Sequence, residues 1–184
     1  MENTGFSPLC EKIIEKGAFK AAVIKTDDVE TDASFRTLCE QNVCGSYGRN
    51  WMCPPDAGEI NELIGVLHSY EYILVYQSVG TLEDSFDIEG MAEAAINHHK
   101  LMYEVRKTAD CEKFRRVLYL GAGGCRLCEK CARITNEPCR NPERAIPSLE
   151  AYGVNVSRLA KAAGMKYING QNTVTYFGAV LFDL

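Results

Sequence analysis

The residues best equipped for chemistry are the cysteines. Cys125, Cys128 and Cys131 form a C-x2-C-x2-C run that Cys139 closes after seven intervening residues. Three thiols so close in the chain must converge on something. Thiolates at two-residue gaps can wrap one soft centre, whereas paired disulfides at that spacing are strained. Zinc sites usually draw on two separated C-x2-C knuckles. An overlapping triplet with a distal fourth cysteine is instead the pattern of [4Fe-4S] ferredoxins. The reading is therefore an iron–sulfur cluster, with zinc as the alternative.

A second set lies upstream, Cys39-x4-Cys44-x8-Cys53, followed by Pro54-Pro55. Gly45 and Gly48 allow the tight turns a metal-wrapping loop needs, and the proline pair fixes the exit. Seven cysteines are one short of two complete four-cysteine sets. One arrangement is a full cluster on Cys125, Cys128, Cys131 and Cys139, plus a three-cysteine cluster whose fourth position is open or takes another ligand. The other is an exchange of ligands between motifs, as in two-cluster ferredoxins. Tyr47 and Trp51 are expected to shield the site, and Tyr47, Arg49 or Trp51 to position a substrate. Gly123 and Gly124 would let backbone N–H groups approach sulfur. Of the remaining thiols, Cys10 sits on an apolar helical stripe as a small core residue. Cys111 falls in a polar connection as a spare ligand.

Composition narrows the function classes. A net charge of −5 argues against broad nucleic-acid or anionic-membrane binding. No stretch has the apolar length of a membrane span, and the first residues lack the pattern of a signal peptide. Nine cysteines without an export signal predict reduced thiols and a cytoplasmic protein. Around the second motif, residues 121–145, five bases face three acids, a balance that would offset an anionic cluster. There is no G-x-S-x-G, H-E-x-x-H or P-loop, and three histidines give a Ser-His-Asp site little support. The glycines at 121–124 do not make a dinucleotide fingerprint, because Arg126 occupies the sixth position.

These loops need elements to hold them. A helix is expected from Ser7-Pro8 to Gly17, a strand over 19–25, and a short helix over 32–38 with Phe35 and Leu38 inward. Asp56 and Glu59 suggest a capping box beside Cys53 for a helix burying Ile60, Leu63, Ile64 and Leu67. A strand over 71–79 precedes the longest helix, 88–106, whose expected stripe is Ile88, Ala92, Ala95, His99, Met102 and Val105. His99 on that stripe is read as a core residue rather than a ligand. Strands over 117–120 and 172–183 flank a short helix over 157–163. Together these predict a single α/β or α+β domain over 1–184, with a mixed sheet of four to five strands and two cysteine-rich loops.

The segments 44–55, 121–131 and 138–154 together resemble a prokaryotic family of unknown function described as predicted metal-binding proteins. The resemblance implies metal ligation by Cys39, Cys44 and Cys53 and by Cys125, Cys128, Cys131 and Cys139. It implies no reaction. The expectation is a redox protein carrying electrons to or from a partner enzyme. One alternative is an enzyme acting on a small molecule through an open iron of a three-cysteine cluster; another is a structural zinc module.

Overall fold

A computed structural model describes residues 4–184 of the chain. Four strands, β1 (Lys20–Lys25), β2 (Tyr72–Thr81), β3 (Arg116–Leu120) and β4 (Thr173–Asp183), form one sheet in the order β1-β2-β4-β3. Every strand pair is antiparallel, where a mixed sheet was expected. β2 and β4 are the inner strands. Their registers place Val75 opposite Ala179 and Tyr76 opposite Gly178, so alternate residues supply two different cores.

One face carries Ile73, Val75, Phe177, Ala179 and Leu181. It packs on α3 (Ile60–His68), α5 (Val156–Ala162) and the segment 149–154 through Leu63, Leu67, Leu149 and Leu159. The opposite face carries Leu74, Tyr76, Val180 and Phe182. It packs on α1 (Ser7–Glu15) and α4 (Ile88–Asp110) through Leu9, Ile13, Leu101, Met102 and Val105. Period-two strands between period-3.6 helices thus bury apolar side chains on both sides of the sheet. Among the described residues no helix is long and apolar enough to cross a membrane.

Several element ends differ from expectation for local reasons. α4 is capped by Asp87, whose carboxylate accepts from Gly90 N at 2.8 Å. It runs on to Asp110 and buries Ala95, His98, Leu101, Met102, Val105 and Ala109. His98 therefore occupies the core position that the expected stripe gave to His99, while Ile88 and Ala92 are exposed. α3 begins at Ile60, with Glu59 at its N-cap and no side-chain cap. Asp56 instead accepts from Arg133, and the first helical residue comes seven positions after Cys53. The short helix α2 (Phe35–Glu40) leaves Leu38 exposed rather than inward.

The sheet also sets up the cysteine loops. β3 stops at Leu120, opposite Ala179, so Thr173–Gly178 of β4 has β2 on one side and no strand on the other. The chain leaves at Gly121 and returns at Ser148, where the two segments bridge in parallel: Gly121 N donates to Pro147 O and Leu149 N to Gly121 O, each at 2.9 Å. A Cβ on Gly121 would lie 2.1 Å from Met102 Cε. Met102 Cε is the far end of a flexible side chain, so the contact shows how closely the departing strand passes over α4.

Candidate metal centre

The first cysteine loop folds on its own turns. Asn42 adopts positive φ and its side chain accepts from Tyr47 N at 3.0 Å, while Gly45 N donates to Asn42 O. Gly48, also at positive φ, donates its N–H to Pro54 O at 2.9 Å and closes the turn around Cys53. The second loop has no regular element beyond the single turn Ala132–Thr135, which Asn136 ends in a left-handed conformation.

Three contacts tie the loops together. Asn50, buried, donates from Nδ2 to Cys125 O at 2.9 Å and accepts Met52 N on Oδ1 at 3.0 Å. Trp51 Nε1 donates to Glu137 O at 2.9 Å. Arg133 pairs with Asp56 at 2.7 Å and lies over the Trp51 ring at 5.2 Å. Gly124 fits between the loops: a Cβ there would lie 3.4 Å from Cys53 Sγ and 3.1 Å from both Ser46 Oγ and Asn50 Nδ2.

Within this arrangement the thiols divide into two sets. Cys125, Cys128, Cys131 and Cys139 together line one small hollow of about 20 Å³, roofed by Asn50, Trp51 and Met52 from the other loop. Asn141 Nδ2 faces Cys128 Sγ at 3.5 Å, a donor suited to a thiolate. Cys39, Cys44 and Cys53 line a separate cavity of about 660 Å³. Its far wall is Gly123, Gly124, Thr175, Tyr176 and Phe177, and it continues past Leu149 and Glu150 to the start of α5. The cavity thus occupies the flank of β4 that β3 leaves open.

Electrostatics follow the same division. Burial pushes the Cys53 thiol up to about 12, and the neighbouring Cys44 and Cys39 add to the effect. Cys39 is raised as well, by burial first, with the Arg36 guanidinium opposing. Cys125 is raised by burial, reinforced by Cys139 and Cys131 and opposed by hydrogen bonds from the Leu127 and Ile146 backbone. Cys53 also feels Cys125, in keeping with the thin wall at Gly124. In the absence of a cation these three thiols stay protonated at neutral pH, so a metal that binds them must displace protons.

The donors suit a thiophilic centre in kind. Four thiols share one hollow, three share a second, and each set is held on loops with internal hydrogen bonds. Among the described residues no group of three or more His, Cys, Asp or Glu has the arrangement to hold a single metal ion. The fit is therefore one of donor chemistry and shared hollows, not of a ready-made coordination polyhedron.

The other sequence-predicted residues are distributed unevenly. Tyr47, Gly123 and Gly124 line the larger cavity and Trp51 the smaller hollow, while Arg49 is exposed and lines neither. Cys10 flanks the core between α1 and the sheet, and Cys111 is exposed at the end of α4. Sequence reasoning missed Asn50, Asn141 and Glu150. Asn50, three residues before Cys53, and Asn141, two after Cys139, are polar neighbours of thiols and could have been noticed. Glu150 lies past the last cysteine, within the segment 138–154 that carries the resemblance, but at no ligand spacing from a thiol.

No curated protein and no solved structure matches the chain. Residues 22–182 match the family model described as predicted metal-binding protein (DUF2284). That span contains both cysteine sets, both loops and the fold from within β1 to Phe182 of β4, and the chain belongs to this family of predicted metal-binding proteins.

Proposed function

We propose that this is an iron–sulfur protein with a redox role, exchanging electrons with a partner protein in the cytoplasm. The observation that carries the reading is the gathering of all four thiols of the C-x2-C-x2-C-x7-C motif around one hollow. Cys125, Cys128, Cys131 and Cys139 would hold a [4Fe-4S] cluster, which supplies reversible one-electron chemistry. Trp51 and Met52 limit water at that site, and Asn141 donates toward sulfur, two influences that set a potential.

A second reading, an enzyme with an open metal position, is favoured by the larger cavity. A space of about 660 Å³ walled by three thiols has the dimensions of a small-molecule site. Here Cys39, Cys44 and Cys53 would hold the centre, and Tyr47, Phe177 and the Gly123–Gly124 backbone would orient the molecule.

The test is metal and acid-labile sulfide content with a visible spectrum on protein purified without oxygen. Iron and sulfide in equal amounts is the expected result. Cys128→Ala should lose the share held by the four-thiol set, Cys53→Ala the share held by the three-thiol set, and Cys10→Ala neither. Colourless protein with zinc and no sulfide would overturn the redox reading and leave a structural zinc module.

A further inference from the structure

The sheet leaves one stretch of backbone unused. Leu82 N donates to Asn172 O at 2.8 Å, so even-numbered positions of β4 turn their backbone groups toward β2. Asp183 O accepts from Arg115 N at 2.9 Å, so odd-numbered positions turn toward β3. The register runs unbroken between those two bonds. The N–H and C=O of Thr175 and Phe177 therefore point to the side on which β3 has already ended. The Phe177 backbone is met by His98. Among the described residues nothing bonds to the N–H or C=O of Thr175; Asn169 Nδ2 donates at 3.0 Å to its side-chain oxygen instead.

That backbone faces the large cavity, which Thr175, Tyr176 and Phe177 line. Ala122, Gly123 and Gly124, directly after β3, line it too, so the path of a strand added in line with β3 is crossed by the chain itself. The space suits a small molecule better than a peptide. Its walls are rich in rings. Phe177 and Tyr167 stack with centroids 6.0 Å apart and planes 13° apart, and Phe35 and Tyr47 line the same space. Leu38, Val43 and Tyr167 line it and are exposed, apolar surface that an occupant would cover. Among the described lining residues there is no Lys, Arg or His, and Glu150 is a carboxylate. Nothing on that wall offsets the charge of a phosphate or carboxylate ligand.

We propose that the cavity binds a flat, uncharged heteroaromatic molecule by a lactam edge, whose N–H donates to Thr175 O and whose C=O accepts from Thr175 N. This rests on the reading of the cavity as a small-molecule site and needs no metal at the three thiols. An extended residue presents its donor and its acceptor side by side to one neighbour, and a cis amide in a ring returns the complementary pair. The ring of the ligand then lies against the apolar wall at Tyr167 and Phe177, where stacking and burial add to the two hydrogen bonds. Binding exchanges no electrons and no protons.

The experiment titrates the protein with four probes: lumichrome, lumichrome methylated at both ring N–H groups, phenazine and flavin mononucleotide. Phenazine has the three-ring shape without a lactam, and flavin mononucleotide adds a phosphate. Lumichrome is expected to bind wild type, with the methylated form and phenazine roughly tenfold weaker for the hydrogen bonds they lack. On adding lumichrome, hydrogen exchange at the Thr175 amide should slow. Thr175→Pro removes an N–H that no strand uses and should weaken lumichrome as methylation does. Thr173→Pro, at an outward position that does not line the cavity, should not. If Thr175→Pro fails to fold, the methylated probe puts the same question to wild type. Equal affinity for lumichrome and its methylated form would overturn the lactam contact while the cavity stands as a small-molecule site. Tighter binding of flavin mononucleotide than of lumichrome would overturn the uncharged class. Failure of all four probes to bind would overturn the small-molecule reading of the cavity itself.

Discussion

At the scale of single residues, the two thiol sets depend on a neutral side chain as much as on sulfur. Asn50 is buried and uses both ends of its amide, one on each loop. Replacing it with Ala strands Cys125 O and Met52 N, at a cost of about 1–3 kcal/mol for buried polar groups left unpaired. Asn50→Ala should therefore lower the urea midpoint of the metal-free protein and speed metal loss from the four-thiol hollow. An unchanged midpoint would mean the amide is not holding the loops. The thiols themselves predict a pH dependence. Cys53, Cys39 and Cys125 are all raised above the ordinary thiol range, so each must give up a proton to bind metal. Apparent metal affinity should climb from about pH 6 to about pH 9 without levelling, by about tenfold per pH unit for each proton displaced. Chelator competition across that range measures the slope, and a flat profile would mean the thiols are already ionised.

At the scale of elements, the inner strands carry a tight fit that bears on how much could be foreseen. Gly178 of β4 faces Tyr76 of β2, and a Cβ on Gly178 would lie 2.3 Å from the Tyr76 ring. Because Tyr76 is buried, the ring has nowhere to go. Gly178→Ala should destabilise the fold by about 1–3 kcal/mol, the usual range for overpacking. A Tyr76→Leu background should recover part of that loss in the same denaturation experiment. The strands and helices themselves were largely legible, since their periodicity is local. The errors came where a partner distant in sequence decides. His98 faces the core instead of His99 because Tyr76 and Tyr176 receive its ring. Asp56 pairs with Arg133, 77 residues on, and does not cap α3. The cysteine motifs were legible as two groups, yet spacing alone could not tell separate sets from exchanged ones. What bears on it is how the loops meet at Asn50, Trp51 and Gly124, contacts between residues far apart in the chain.

At the scale of the whole molecule, His98 couples stability to pH. Its Nδ1 shares a hydrogen bond with Ser78 Oγ at 2.8 Å, and the Phe177 backbone beside its buried ring opposes part of the effect of burial. Burial, with a smaller contribution from His99, lowers its pKa to about 4 from an ordinary 6.5. Between those values the unfolded chain binds one proton more than the folded one. Stability from this group is therefore whole above pH 6.5 and falls as pH drops toward 4, by about 3 kcal/mol at most. Chemical denaturation of wild type and His98→Leu should show a flatter pH profile for the variant over that window. Equal slopes would place the acid sensitivity elsewhere.

The bridge between Gly121 and Ser148 reaches beyond the cysteines it encloses. Because the chain leaves and returns at adjacent points, a linker of a few glycines and serines would span the ends of residues 122–147 at a small entropic cost. The body of the loop is nevertheless part of the fold: Ile146 sits in the core beside Met102 and Val180, and Asn50, Trp51 and Asp56 bond to Cys125, Glu137 and Arg133. A chain with the loop so replaced should therefore melt below wild type even without metal; an unchanged melting temperature would mean that the sheet stands without its cysteine loop.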